Sequence, residues 1–281
     1  MKITASTQLY AVLGNPVRQS LSPVLQNGWI NEHGFDAVYT AITIKQENFE
    51  TALLGLHQCG LMGANVTMPF KERAAAYAYA LSERAAATSS VNCLTFHDSG
   101  FIGNSTDGDG FVADLDARAP NWREMSGTTL VIGAGGAARA ILYALVDMGR
   151  TNIAVVNRDR KRADEAVSLH PADSVKSIDW SALSEHLSGA SLVVNATSAG
   201  FKGQNDLSLD MSQTDPDCII YDTIYAPKET LFLLDARQHR RRTLNGLGML
   251  VGQGALAFEH WFGVRPDLMK GLARLEAELS S

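Results

Sequence analysis

The sequence lacks the features of a membrane-spanning or secreted chain. It contains no run of about twenty apolar residues, and its N terminus is not a basic segment followed by an apolar one. We therefore predict no membrane span and no secretory signal, and we expect a cytoplasmic location.

An excess of basic residues is also missing. The chain has 24 Lys and Arg against 30 Asp and Glu, which gives a net charge of −6 and a pI near 5.6. A surface with this balance does not carry the electrostatic footprint of a protein that binds nucleic acid or anionic membranes. We predict neither partner.

Cysteines are few and do not cluster. Cys59, Cys93 and Cys218 are odd in number, widely spaced and set among apolar neighbours. This pattern predicts buried, reduced thiols rather than disulfides. Because Cys and His never occur at zinc-ligand spacing, we predict no metal site.

The sequence does contain a repeated alternation of short β-branched runs and helical patterns, which is typical of α/β proteins built from parallel βα units. Its 281 residues exceed one typical core, so we expect two domains. The first helix is predicted to have Ser22 as its N-cap, Pro23 at its first position and Gly34 beyond its end. The predicted strands lie near residues 9–14, 37–43, 63–67, 91–96, 128–133, 152–157, 192–195 and 219–222.

A domain boundary is predicted between Thr106 and Ser126. A helical pattern over residues 109–118 leads out of the first α/β series, and a loop over residues 118–127 precedes a strong new strand. The last helical patterns, from about Leu247 to Glu278, follow the second α/β series.

The strongest local motif follows that new strand. Gly133, Gly135 and Ala138 form a Gly-x-Gly-x-x-Ala pattern between a strand and an apolar helix. The first glycine permits a tight turn, the second lets the backbone approach a pyrophosphate, and the small third residue lets helix and strand pack closely. The strand before the motif and the helix after it favour a dinucleotide site over a simple turn.

The end of the next strand indicates which dinucleotide. Many NAD-binding proteins place Asp or Glu there, whereas this chain has Asn157 followed by Arg158. Guanidinium groups suit a 2′-phosphate. Asp159 argues in the opposite direction, and we interpret Arg160 as a residue that solvates a helix start. NADP is favoured, with NAD as the alternative.

Several polar residues of the N-terminal part follow short β patterns. Lys71 begins a helix after a strand and a proline turn, although a lysine is disfavoured there by the helix dipole. Asp107 lies in a glycine-flanked turn. Other hydroxyls and amides of the chain would suit a polyhydroxylated anion, namely those of Ser20, Ser22, Thr67, Asn92 and Gln253.

In this order, the motifs resemble those of the shikimate dehydrogenase family along almost the whole chain. No single motif is specific, but the ordered set is. The matching stretches are 14–23 (GNPVRQSLSP), 65–71 (NVTMPFK), 90–92 (SVN), 104–108 (NSTDG), 133–137 (GAGGA), 157–158 (NR), 195–198 (NATS), 221–222 (YD) with Tyr225, and 245–249 (NGLGM) with Gln253.

The resemblance implies reversible NADPH-dependent reduction of 3-dehydroshikimate to shikimate, in chorismate and aromatic amino-acid biosynthesis. It implies a two-domain α/β fold. Residues 1–107, completed by C-terminal helices over 246–281, would form the substrate domain, and residues 108–245 a Rossmann-type, doubly wound NADP-binding domain. Members of the family occur as monomers and homodimers.

The resemblance also implies the roles of individual residues. Lys71 and Asp107 would be the catalytic pair, with Lys71 exchanging a proton with the carbinol oxygen. The residues that would bind the substrate are Ser20, Ser22, Thr67, Asn92, Tyr225 and Gln253. Those that would bind the cofactor are Gly133, Ala134, Gly135, Gly136, Ala137, Asn157, Arg158, Arg162, Thr197, Gly246 and Met249.

Four positions depart from the common family pattern: Gln19, Leu21, Ser105 and Asp159. Leucine between the two serines also occurs in relatives that accept quinate. One alternative is therefore a quinate/shikimate dehydrogenase that uses NAD or both cofactors. Another is a catalytically silent dinucleotide-binding regulator, which the intact Lys71 and Asp107 argue against.

Overall fold

The computed structural model describes residues 2–201 and 204–280 of the chain. The strands are β1 (Gln8–Gly14), β2 (Ala37–Thr43), β3 (Leu61–Val66), β4 (Ala80–Leu81), β5 (Cys93–His97), β6 (Gly100–Asn104), β7 (Thr128–Ile132), β8 (Ile153–Val156), β9 (Val175–Ile178), β10 (Ala190–Asn195), β11 (Ile219–Asp222) and β12 (Arg242–Asn245). The α-helices are α1 (Ser22–His33), α2 (Phe49–Gln58), α3 (Lys71–Tyr77), α4 (Glu83–Thr88), α5 (Asp107–Arg118), α6 (Gly136–Asp147), α7 (Arg160–Val167), α8 (Leu183–Leu187), α9 (Leu231–Gln238), α10 (Leu247–Phe262) and α11 (Leu268–Glu278).

The chain forms two compact units. The first contains residues 1–110 and 250–281, and the second contains residues 111–249. Each unit holds one six-stranded sheet.

The sheet of the first unit has the order β2-β1-β3-β5-β6-β4. This sheet is mixed, because β5 is antiparallel to both β3 and β6. Only two residues separate β5 from β6, and a connection this short can join only antiparallel strands. The remaining pairs of this sheet, such as β1 with β2, are parallel.

Both faces of this first sheet are covered. An apolar cluster on one face joins β1 and β3 to α2 and α3, with Phe49 stacked on Phe70. Aromatic contacts tie the C-terminal helices to the rest of the unit. Trp261 packs near Tyr10 and donates its ring N–H to the Leu94 carbonyl at 3.0 Å. A Cβ at Gly63 would lie 2.4 Å from the Trp261 ring nitrogen, so only glycine admits this ring against the strand.

The sheet of the second unit is parallel throughout, in the order β12-β11-β10-β7-β8-β9. Read from β9, this is the 3-2-1-4-5-6 order of dinucleotide-binding sheets, whose topological switch point lies between β7 and β10. Alternate residues of β7 enter different apolar clusters, Val131 on one face and Leu130 with Ile132 on the other. Burial on both faces explains why the strand is a continuous apolar run.

Three local predictions need correction. Ser22 is the first residue of α1 rather than its N-cap. The N-cap is Leu21, whose side chain makes no capping hydrogen bond. The prediction that Gly34 follows the helix end is confirmed by its left-handed φ of 71°. Asp107 begins α5 instead of lying in a turn before it. Cys59 is exposed at the end of α2, while the other two cysteines are buried.

Within the described ranges, no helix combines the length and the apolar character needed to cross a membrane. Among those same residues, no three His, Cys, Asp or Glu side chains are grouped so that they could hold a metal ion.

Candidate active site

Lys71 and Asp107 form a buried ion pair in the first unit. The Lys71 Nζ lies 2.5 Å from Asp107 Oδ2, and the two side chains are 15% and 7% exposed. Each residue begins a helix, so the dipole of α5 favours the Asp107 carboxylate while that of α3 opposes the Lys71 ammonium. The carboxylate therefore compensates a cation that its own helix does not favour.

Asn92 fixes the other oxygen of this carboxylate. Its Nδ2 donates to Asp107 Oδ1 at 2.9 Å and to Thr106 Oγ1 at 2.9 Å, and its Oδ1 accepts from the Thr106 amide at 2.7 Å. Asn92 is buried, so the network is shielded from water and its geometry is held firmly. One oxygen of Asp107 thus faces the lysine, and the other faces an amide.

The mixed sheet brings these residues together. Because β5 runs antiparallel to β3 and β6, its start lies beside their carboxyl ends. The Asn92 carbonyl accepts from the Val66 amide at 2.9 Å, and its amide donates to the Asn104 carbonyl at 3.0 Å. The Val91 amide donates to the Lys71 carbonyl, which attaches the start of α3 to the same edge.

Gln253 of α10 joins the network. Its Oε1 accepts from Asn92 Nδ2 at 3.2 Å, and its carbonyl accepts from Thr106 Oγ1 at 3.1 Å. Thr106 belongs to the stretch 104–108 (NSTDG), but the sequence alone assigns it no role. Its position directly before Asp107, after Ser105, is the feature that could have indicated one.

Asn65 and Tyr39 extend the network and were also missed as site residues. The Tyr39 hydroxyl donates to Asn65 Oδ1 at 2.7 Å, and Asn65 Nδ2 donates to the Asn92 carbonyl at 3.1 Å. Burial raises the pKa of Tyr39 well above 10, and a hydrogen bond from Ser22 opposes this rise only in part. Tyr39 therefore remains a neutral hydroxyl donor.

Ser20 and Ser22 lie together at the start of α1. Ser20 Oγ accepts from the Ser22 amide at 3.2 Å. Because Leu21 supplies no side-chain cap, the helix start keeps amides and a positive dipole end that favour an anion. Thr67 follows β3, and a Cβ at Gly14 would lie 2.4 Å from its methyl group, so Gly14 allows the two strand ends to approach.

The glycine loop of the second unit has the geometry of a phosphate cradle. Gly133 has a φ of 119°, and a Cβ there would lie 2.9 Å from the Ala196 carbonyl oxygen. Gly135 is the N-cap of α6 and makes no side-chain cap, and a Cβ there would meet no atom within 4 Å. Backbone amides beside open space at a helix start fit a dinucleotide pyrophosphate. Ala134, Gly136 and Ala137 complete this loop.

The residues after β8 are arranged around a helix start. Asp159 is the N-cap of α7 and accepts from the Lys161 amide at 3.1 Å, and Asn157 Nδ2 donates to the Asp159 carbonyl at 2.9 Å. The Arg158 guanidinium lies 5.5 Å from the Trp180 ring centroid. The N–H groups of a guanidinium suit a phosphate. The role of Asp159 as the N-cap explains why an acidic residue stands at a position where it argues against NADP.

Arg160 and Arg162 both lie on α7. Arg160 pairs with Asp164 at 2.9 Å and with Asp179 at 2.6 Å, in agreement with its interpretation as a residue of the helix start. Arg162 lies exposed on α7.

The remaining candidates surround the ends of β10 and β11. Thr197 follows β10, and its methyl carbon would lie 3.1 Å from a Cβ at Gly133. Gly246 follows β12, and Met249 is buried in the apolar cluster that contains Ala134. Tyr225 is half-buried after β11. The second unit therefore brings Thr197 to the glycine loop.

Three family models match the chain. The shikimate dehydrogenase substrate binding domain matches residues 12–94, the shikimate / quinate 5-dehydrogenase model matches residues 119–204, and the shikimate 5′-dehydrogenase C-terminal domain matches residues 246–268.

Individual proteins match over nearly their full length. The shikimate dehydrogenase (NADP(+)) of Rhodospirillum rubrum is 41% identical over 270 residues, and that of Methylocella silvestris is 40% identical over 269 residues, with 95% of each chain covered in both cases. The crystal structure of shikimate 5-dehydrogenase from Thermus thermophilus in complex with NADP(H) and shikimate superposes with a TM-score of 0.85 at 30% identity. This match covers 96% of this chain and 99% of that chain.

Proposed function

This chain belongs to the shikimate dehydrogenase family, and from that membership we propose that it interconverts shikimate and 3-dehydroshikimate with NADP, using Lys71 and Asp107 as its catalytic pair. The observation that carries the proposal is the buried 2.5 Å contact between the Lys71 ammonium and a carboxylate whose second oxygen is held by Asn92.

The reaction requires a proton to move at the carbinol oxygen of the substrate. The cofactor held by the loop from Gly133 to Ala137 would supply the hydride acceptor in oxidation and the hydride donor in reduction. Lys71 carries three N–H donors and directs one toward Asp107, which leaves donors for the substrate oxygen. In reduction the ammonium would donate one proton to the carbinol oxygen and become the neutral amine, and in oxidation the neutral amine would take the hydroxyl proton and become the ammonium again. Asp107 would orient the amine and stabilise its charged form.

Binding of the substrate carboxylate is assigned to Ser20 and Ser22. Their hydroxyls lie at a helix start whose dipole favours an anion, and Ser22 is buried. The ring hydroxyls are assigned to Thr67, Asn92, Gln253 and Tyr225.

Binding of the cofactor is assigned to the second unit. The loop from Gly133 to Ala137 would hold the pyrophosphate, and Thr197, Gly246 and Met249 the ribose and nicotinamide. The 2′-phosphate is assigned to Asn157, Arg158 and Arg162. The open space beside Gly135 and the position of Arg158 after β8 support NADP at this site.

These assignments give each segment a role. Residues 1–107 with 246–281 would form the substrate and catalytic domain, and residues 108–245 the cofactor domain. We further propose that the enzyme is cytoplasmic and acts as a monomer or homodimer. Burial raises the pKa of the Cys218 thiol to about 12 and keeps the thiol protonated.

Replacing Lys71 with Ala tests the catalytic assignment. We expect kcat for shikimate oxidation to fall by about 10² to 10⁴, the range that a positioned acid–base group contributes. NADP affinity should change little, because every cofactor contact assigned above lies elsewhere. Lys45→Ala, at an exposed lysine of the same unit, is the control.

Three outcomes would contradict the proposal. Near-normal turnover of the Lys71→Ala variant would remove the catalytic role. No NADPH formation by the wild-type protein with shikimate, or a strong preference for quinate with NAD, would replace the proposed reaction.

A further inference from the structure

Asp222 is a buried carboxylate at the end of β11 that the proposed mechanism does not use. Its side chain has no exposed surface. Oδ1 accepts from Asn195 Nδ2 at 3.0 Å and from the Ile224 amide at 3.0 Å, and Oδ2 accepts from Thr230 Oγ1 at 2.6 Å. Three donors from three segments of the second unit therefore converge on one side chain.

The first donor connects Asp222 to Thr197. Asn195 Oδ1 accepts from both the amide and the hydroxyl of Thr197, at 3.1 and 2.7 Å. Because Asp222 holds Nδ2 of the same amide group, the orientation of Asn195 is fixed with its oxygen toward Thr197. The Asn195 side chain is fully buried, so the bonds do not exchange with water.

The second donor connects Asp222 to Tyr225 and Gly246. The Ile224 amide bonded to Asp222 immediately precedes Tyr225, and the Ile224 carbonyl accepts from the Gly246 amide at 3.0 Å. A Cβ at Gly246 would lie 2.0 Å from the Thr223 carbonyl oxygen, so the two backbones are in close contact. A shift of the turn after Asp222 would therefore move both ligand-binding positions.

We infer that Asp222 is a positioning residue that holds Thr197, Tyr225 and Gly246 in one arrangement for the nicotinamide end of the cofactor and for the substrate. This inference rests on the proposed function, because that function assigns ligands to the three residues. Asp222 itself contacts no ligand in this scheme. It acts through Asn195 and through the backbone at Ile224.

The surroundings of Asp222 support a role beyond packing. Burial raises its pKa to about 6, while the neutral donors Thr230, Ile224 and Asn195 lower it in part. Above about pH 6 the carboxyl is ionised in the folded protein, at a cost that an apolar residue would avoid. Hydrogen bonds to an ionised acceptor are stronger and more directional than neutral ones, which suits a positioning hub.

Removal of the hub by Asp222→Ala is the direct test, with Asp222→Asn as the conservative variant. For Asp222→Ala we expect the Kd for NADP, measured by titration calorimetry without substrate, to rise about tenfold. Turnover should fall by about 10² because small displacements of positioned groups are costly. Asp222→Asn keeps an acceptor oxygen for Asn195 and Ile224, so both constants should stay within about threefold of the wild type.

Asp235→Ala is the matched control. Asp235 lies in the same unit and accepts from the Met211 amide at 3.0 Å, away from the three ligand-binding residues. The control should leave the Kd for NADP unchanged even if the melting temperature falls. An unchanged Kd in folded Asp222→Ala, measured well below its melting temperature, would overturn the inference.

Asn195→Asp provides a second test if Asp222→Ala does not fold. The substitution places two carboxylates in contact, and one of them must take up a proton for the bond between them to re-form. NADP binding should be weak near pH 8 and recover toward the wild-type value near pH 6. A defect that does not change with pH would contradict the inference.

The two levels of proposal fail separately. A wild-type protein that binds NADP but oxidises neither shikimate nor quinate would refute the proposed function. The calorimetric comparison of Asp222→Ala with Asp235→Ala would still decide whether Asp222 positions the cofactor site.

Discussion

Replacing Asp222 with Asn is expected to change how the stability of the protein depends on pH. Burial raises the pKa of this carboxyl from 3.8 to about 6, and the hydrogen bonds it accepts offset only part of that rise. The amide in Asp222→Asn has a similar shape but does not titrate. The difference in unfolding free energy between wild type and variant therefore isolates this one group.

The sign follows from proton binding. Between the unfolded pKa and the folded pKa, the folded protein binds more protons at Asp222 than the unfolded chain does, so stability falls as pH rises. The contribution is fully present below pH 3.8, the unfolded value, and is lost as pH rises through about 6.

The size of the effect follows from the pKa change. A change of roughly 2 units corresponds to roughly 3 kcal/mol. About 2 kcal/mol of this should be lost between about pH 4.5 and about pH 7.5, where the protein is most easily studied. Relative to the wild type, the Asp222→Asn variant should become more stable by that amount across this range.

The measurement is urea unfolding of both proteins, followed by far-UV circular dichroism at four pH values across the range. The difference between the proteins cancels the titration of all other groups. Asp210→Asn is the control that should stay flat across this range, because bonds from Ser212 lower the pKa of Asp210 below 3.8 and its contribution is lost only as pH falls further. A wild-type-minus-variant difference for Asp222 that stays flat, or that grows with pH, would refute the burial argument.

Two further predictions each concern the side chain of one residue. Arg158→Ala should raise the KM for NADP by about tenfold or more and leave the KM for NAD unchanged, because only NADP carries the 2′-phosphate that a guanidinium binds; equal losses with both cofactors would contradict this role. Tyr39→Phe should lower the free energy of unfolding in urea by about 1–3 kcal/mol, because it leaves the buried Asn65 oxygen without its donor. Tyr10→Phe should lower it by under about 0.5 kcal/mol, because the Tyr10 hydroxyl bonds the exposed Gln8 at 3.3 Å. Equal losses in the two tyrosine variants would contradict the assigned bond.

The sequence alone determined the features that depend on local chemistry. The alternation of β-branched runs and helical patterns predicted both α/β units, and the second is a fully parallel sheet with Gly133 and Gly135 at its switch point. The end of α1 at Gly34 was predictable because a left-handed residue there strongly favours glycine. The order of motifs indicated the family.

Strand direction and hydrogen-bond partners were decided only by the tertiary structure. Periodicity reports which faces of a segment are buried, but it does not report which distant segment lies beside it. The antiparallel β5, which places Asn92 between Asp107 and Gln253, therefore could not be derived from the local pattern.

The role of Asp222 likewise could not be derived from the local sequence. The sequence placed NATS and YD in the family pattern without giving Asn195 or Asp222 a role. Their bond joins residues 27 positions apart, and it exists because parallel β10 and β11 end side by side. Local sequence determined the strands and turns that carry the site, whereas the pairing of those strands determined which side chains meet, because such contacts depend on the whole folded chain.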